Sequence, residues 1–300
     1  FVSALLIAMS QGQAEGWRSD YIIRLLLIFV VAFTAFIIIE WRKPNPLIDI
    51  KLTVDRYFRS ALIVNFLVGI GLYGTNFLIP IFMVNLLDYS VLKAGIAMIP
   101  GAAIAIPSTY FGGRLTDRTD LKIPLFIGLF LWALYTYVFG LLDVRVSFLA
   151  IVMVMLIRGI GLGISAPPMM AGALINLPPE KMRMASGILS LNLTLGGMFG
   201  IAALGTMLES RQMVHFASIA KYHDPSSYTT VTVLNSFQQF FQSLGHMSYE
   251  AKGLAVMVLE SIVSREALTS AFQDSFFFIT AMFALAFIPS LFMSSKKSVK

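Results

Sequence analysis

Polar and apolar positions separate along this chain into eight blocks of nearly charge-free apolar sequence joined by shorter polar segments. The apolar runs occupy roughly 21–40, 60–86, 94–113, 123–142, 147–174, 184–209 and 270–293, with a shorter one at 1–9. A helix needs about 20 apolar residues to cross about 30 Å of hydrocarbon, and lipid offers no water to satisfy an irregular backbone. The pattern therefore predicts an all-α polytopic membrane bundle with seven spans and one clipped run. Phe1 is not an initiating methionine, so the chain is expected to be the C-terminal part of a longer protein.

Composition agrees, with 57% hydrophobic residues, a mean hydropathy of +0.80 and only 13% charged residues. A soluble chain would carry about 25% charged residues. The absence of cysteine excludes disulfides, thiol catalysis and thiolate metal sites.

The net charge of +6 follows a topological rule rather than a nucleic-acid footprint. Arg42, Lys43, Lys51, Arg56 and Arg59 fall between the second and third runs. Arg114, Arg118 and Lys122 follow the fourth, Lys181 and Arg183 follow the sixth, and Lys296, Lys297 and Lys300 end the chain. If the spans alternate in direction, all of these lie on one side. The positive-inside rule makes that side cytoplasmic, with the C-terminus inside. Residues 210–269 then lie outside. Within them, 250–268 place Leu254, Ala255, Val258, Leu259 and Ile262 on one face, which predicts a separate amphipathic helix on the outer mouth. In the segment 41–59, Pro44 and Pro46 stop the preceding helix, and the apolar residues among basic ones predict an interfacial anchor or a hinge.

Polar residues inside the apolar runs are the candidate chemistry. Asn65, Tyr73 and Asn76, with Phe77 beside them, stripe one face of the third run. Such groups turn toward a wet cavity or bond to a neighbouring helix. Gly69 and Gly71 are expected to interrupt that helix. Arg158 stands near the middle of the run 147–174, where a guanidinium costs at least about 2.5–3.5 kcal/mol without water or an acceptor. It either steers proton transfer or bonds structurally to a neighbouring helix. Gly159, Gly161 and Gly163 follow it and allow close helix approach; Pro167 and Pro168 are expected to break the helix.

Between the fourth and fifth runs, GGRLTDRTDLK sets Gly113, Arg114, Asp117, Arg118 and Lys122 in a charged turn. Asp117 is expected just before a helix start, and the arginines can pair with another helix end as a latch. Ser190 and Thr194 share a face of the run 184–209, followed by Gly196 and Gly200, which read as a tight crossing. The phenylalanines of the last run, among them Phe272, Phe276, Phe277 and Phe283, read as lipid-facing bulk, and Asp274 is the carboxylate nearest to burial there. His215, His223 and His246 show no metal-ligand spacing, so no metal site is expected. No G-x-x-x-x-G-K-[ST] loop and no nucleophile–base set occurs, which argues against an ATP-driven pump and against an enzyme.

GGRLTDRTDLK resembles the G-x-L-x-D-R-x-G-R-K loop of the major facilitator superfamily at Gly113, Leu115, Asp117, Arg118 and Lys122; Asp120 and Leu121 depart from it. RGIGLG at 158–163 is similar to that superfamily's R-x-x-x-G motif. The whole chain resembles the C-terminal half of fourteen-span drug:H⁺ antiporters of the EmrB/QacA type. The resemblance implies central extra spans over 1–41 (the first truncated), a cytoplasmic interfacial loop over 42–59, a six-helix transport bundle over 60–293 and a cytoplasmic tail over 294–300. It implies an inner-membrane antiporter that exports amphipathic drugs by alternating access, driven by the proton gradient without a cofactor. Arg158 would then serve proton coupling, and Gly113, Arg114, Asp117, Arg118 and Lys122 the gate. Asn65, Tyr73, Asn76, Phe77, Ser190 and Thr194 would line the substrate cavity. Membrane lipid and a small amphipathic substrate are the expected partners, a periplasmic adaptor protein stands open, and no nucleic acid is expected. An exporter of one metabolite or a non-transporting scaffold are the alternatives.

Overall fold

The computed structural model describes residues 2–42, 55–222 and 228–293, and all their regular structure is helical. The helices are α1 (Val2–Glu15), α2 (Asp20–Arg42), α3 (Arg56–Ile81), α4 (Val91–Arg118), α5 (Lys122–Gly140), α6 (Phe148–Leu174), α7 (Pro179–Tyr222), α8 (Tyr228–Ser243) and α9 (Ser248–Ser290). A wider π-type turn, Phe82–Leu86, continues α3. Among the described residues, six helices are long and apolar enough to cross a bilayer: α3 with its π-type turn, α4, α5, α6, α7 and α9. The interfacial reading of 42–59 falls largely on 43–54, and the tail reading on 294–300, both outside the described residues.

The helix starts are written locally. Asp55 accepts from the amides of Tyr57 and Phe58, Ser90 from Lys93 and Ser147 from Ala150, so each side chain occupies amides that the first turn leaves free.

The chain divides into two units, Phe1–Gly205 with Phe276–Lys300, and Thr206–Ser275. The first is built on small-residue crossings. A Cβ on Gly159 would collide with the carbonyl of Gly101, and one on Gly163 would meet the Ala105 carbonyl at 2.6 Å, so α6 lies tight against α4. Gly69, Gly196 and Gly200 do the same for α3 and α7, facing the carbonyls of Leu193, Phe66 and Ile70. Close approach of this kind is how helices gain contact energy in lipid, where apolar burial gives little. A second layer is aromatic. Trp132 meets Phe283 edge-on at 4.9 Å, Phe139 stacks on Phe276 at 5.0 Å, and Phe82 adds its edge to both Phe139 and Phe276.

Four expectations need correction. Pro167 and Pro168 do not break α6, which runs on to Leu174. Gly69 and Gly71 lie inside an unbroken α3, their missing side chains filled by the neighbouring helix and by the Phe283 ring. Phe272, Phe276 and Phe283 are buried, so only part of the phenylalanine-rich run is exposed bulk, such as Phe277. The helix expected over 250–268 is present but does not end there, because SREALTSAFQDS has neither proline nor glycine to stop it and α9 continues into the last span.

Candidate functional site

The polar centre of the first unit forms where α3, α5 and α6 meet. Arg158 donates from its guanidinium to the side-chain oxygen of Asn76. One residue earlier on α3, the Thr75 hydroxyl accepts from Tyr135 on α5 at 3.0 Å. Tyr135 is fully buried and close enough to Arg158 to interact electrostatically. Asn76 lies ten residues before Leu86, and Arg158 ten residues after Phe148. At about 1.5 Å per residue both sit about 15 Å along their helices, close to the middle of a bilayer about 30 Å thick. Arg158 is half-buried and Asn76 exposed, so this pair is set at an open face of the apolar bundle rather than sealed within it.

Sequence reasoning named Arg158 and Asn76 but not their link, and it missed Tyr135 and Thr75. A buried tyrosine whose hydroxyl needs a partner is the signal that could have found them.

The other stripe residues divide. Asn65 is buried and donates to the Leu189 carbonyl, and Asn192 returns the bond to Leu62 at 2.7 Å, so these amides stitch α3 to α7. The helix-bonding alternative is what Asn65 adopts. Tyr73 lays its ring on Gly197, and Phe77 is half-buried. Ser190 and Thr194 return their hydroxyl protons to their own helix, at the carbonyls of Ser186 and Ser190, as isolated hydroxyls in apolar helices do.

The charged turn is placed differently from expectation. Asp117 belongs to the last turn of α4, where the helix dipole disfavours an acid, and does not precede α5. Asp120 sits there instead, its carboxylate accepting from the Lys122 amide at 3.1 Å. Lys122 reaches the Leu291 carbonyl at 2.8 Å, Arg114 lies over the Tyr110 ring at 4.6 Å, and Gly113 faces open space. Asp117 and Arg118 are exposed, and among the described residues neither forms an ion pair.

The second unit holds a grouping that no local pattern announces. His215 on α7 meets the carboxylate of Asp274 on α9 at 2.9 Å, and Arg211 approaches the same oxygen at 3.7 Å. The expectation that Asp274 is partly buried holds, since it is about one-third exposed. Among the described residues, no cluster of His, Asp and Glu is arranged to hold a metal.

A set of apolar, proline-bearing helices packed on glycine crossings around a half-buried arginine defines a polytopic membrane helical bundle. The Major Facilitator Superfamily model matches residues 1–201, and the chain belongs to that family. The superfamily consists of transporters, not enzymes, and its members generally need no cofactor. The uncharacterized MFS-type transporter YhcA of Bacillus subtilis is 23% identical over 99% of this chain and 56% of its own length. The colistin resistance protein EmrB of Acinetobacter baumannii is 25% identical over 99% of this chain and 58% of its own. The quinolone resistance protein NorB of Staphylococcus aureus is 32% identical over 68% of this chain and 44% of its own. The chain thus spans roughly half the length of the relatives it matches. Among solved structures, a bacterial homologue of the human lysosomal transporter Spinster, inward-facing and unoccupied, superposes with a TM-score of 0.55 over 81% of this chain and 49% of its own, at 16% identity. That likeness carries the fold.

Proposed function

We propose that the chain forms part of a proton-coupled antiporter that exports amphipathic or cationic compounds by alternating access. The observation that carries this reading is the Arg158–Asn76 bond at mid-bilayer depth, on an open polar face of an otherwise apolar bundle. A charge at that depth is costly, and a solvated transport path is the usual setting that offsets it. The drug-resistance relatives support the substrate class, and the basic ends of the helices support a cytoplasmic C-terminus. Arg158 serves proton coupling, while Asp117 and Arg118 engage a second set of helix ends in one state only. Tyr73, Asn76 and Phe77 supply mixed aromatic and polar walls.

The test is export by the full-length protein in intact cells. Overexpression lowers the accumulation of several unrelated cationic dyes, and Arg158→Ala removes the effect while leaving the protein in the membrane. A change confined to one metabolite, with dye levels untouched, would make the protein a dedicated exporter.

A further inference from the structure

One groove lies well away from the polar centre. It has a volume of about 550 Å³ and runs between the start of α3 and the end of α9, both within the first unit. Its mouth carries Arg56 and Arg59, and its walls are Ile63, Leu67, Leu285 and Ile288. The residues on α3 recur at offsets of three, seven and eleven from Arg56, which is one helical face. At about 1.5 Å per residue, the surface turns from guanidinium to hydrocarbon within about 10 Å and stays apolar to about 16 Å. A charged mouth grading into an apolar slot is the shape of an amphiphile, headgroup first.

The sign of the charge selects the amphiphile. Two guanidiniums stand three residues apart, and among the described residues neither has an acidic partner in an ion pair. The neighbouring carboxylate, Asp55, already accepts from two amides of α3. Basic residues in the first turn of a helix are opposed by the helix dipole, so these arginines do not serve α3 itself. Arg56 is instead steered across the groove, its guanidinium 5.0 Å from the centre of the Phe292 ring. Ile63, Leu285 and Ile288 are each about half exposed, which suits acyl chains. A cationic drug would be repelled here. Asn76 also lies twenty residues further along α3, about 30 Å away, so the groove is separate from the transport centre.

We infer that this groove binds an anionic phospholipid, its headgroup phosphate held by Arg56 and Arg59 and an acyl chain lying along Ile63, Leu67, Leu285 and Ile288. Arginine suits the phosphate because its planar fork donates two parallel hydrogen bonds. The site belongs to the membrane face whose loops carry the basic residues, where anionic headgroups add about 1 kcal/mol per arginine.

The experiment is native mass spectrometry of the full-length protein titrated with phosphatidylglycerol or phosphatidylcholine, with millimolar inorganic phosphate as competitor. The wild-type protein retains phosphatidylglycerol preferentially and keeps it in the presence of phosphate. R56Q/R59Q weakens that retention about 30-fold, two charges at about 1 kcal/mol each and 1.4 kcal/mol per tenfold, without changing phosphatidylcholine. If the double variant is not recovered folded, R59Q alone shows about a fivefold loss. Equal phosphatidylglycerol retention by wild type and variant overturns the proposal. Displacement by inorganic phosphate also overturns it, by revealing a simple anion site.

Discussion

The guanidinium of Arg158 on α6 donates to the side-chain oxygen of Asn76 on α3, joining two helices whose sequence positions are 82 residues apart. Each residue supplies what the other lacks in hydrocarbon: the arginine has only donors, and the asparagine oxygen only accepts. Thr75 and Tyr135 extend the contact to α5.

That complementarity makes the two side chains energetically coupled. Asn76→Leu leaves a guanidinium without its acceptor and is expected to destabilise the folded protein by about 1–3 kcal/mol. Adding Arg158→Leu removes the orphaned charge and should recover most of that loss while abolishing transport. Thermal unfolding of the three variants in detergent reads the coupling; additive losses would mean that the two residues do not depend on each other.

The glycine crossings and the charged turn predict opposite outcomes for the same substitution. Gly159→Ala drives a methyl group into the Gly101 carbonyl and should cost about 1–3 kcal/mol, with loss of monodisperse protein in size-exclusion chromatography. Gly113→Ala meets open space within α4 and should stabilise by up to about 1 kcal/mol through helix propensity. A comparable loss at both positions would contradict the packing described for α4 and α6.

For Asp117, charge reversal tests the latch. Asp117→Lys is expected to cut transport turnover severalfold while substrate affinity changes little, because the residue sits at the end of α4 rather than at the polar centre. Equilibrium binding of a fluorescent cation, measured beside its transport rate, separates the two effects. A loss of affinity with turnover intact would remove the gating role.

The His215–Asp274 contact is partly solvated, so it should contribute little to stability. Asp274→Asn is expected to lower stability by less than about 1 kcal/mol, since the exposed part of the pair is screened by water. A drop of several degrees in Tm would show that the carboxylate organises the second unit.

The helices were readable from sequence because span length is set by bilayer thickness, and the runs 60–86, 123–142 and 147–174 match α3 with its π-type turn, α5 and α6 closely. Where local rules misled, tertiary contact outweighed them. Pro167 and Pro168 break helices in water, but in a bundle the neighbouring helices support a segment lacking two amides, and Ser165 bonds back to the Gly161 carbonyl just before them. Asp117 looked like a cap because acids favour helix starts; the carboxylate that accepts from the first amide of α5 is that of Asp120, three residues nearer to the true start. Arg158 was legible as an isolated cost, whereas Tyr135 and Thr75 were not, since a tyrosine in an apolar run carries no mark of what its hydroxyl will reach. His215 and Asp274 meet across 59 residues, and no period links them.

Coupling of export to a proton gradient is the claim on which the functional account rests. The full-length protein, reconstituted in liposomes with an imposed pH gradient and no ATP, is expected to move a fluorescent cation against its concentration gradient, to stop when an uncoupler collapses the pH difference, and to lose that movement with Arg158→Ala. Continued uphill movement after collapse, or identical movement by the Arg158 variant, would contradict it.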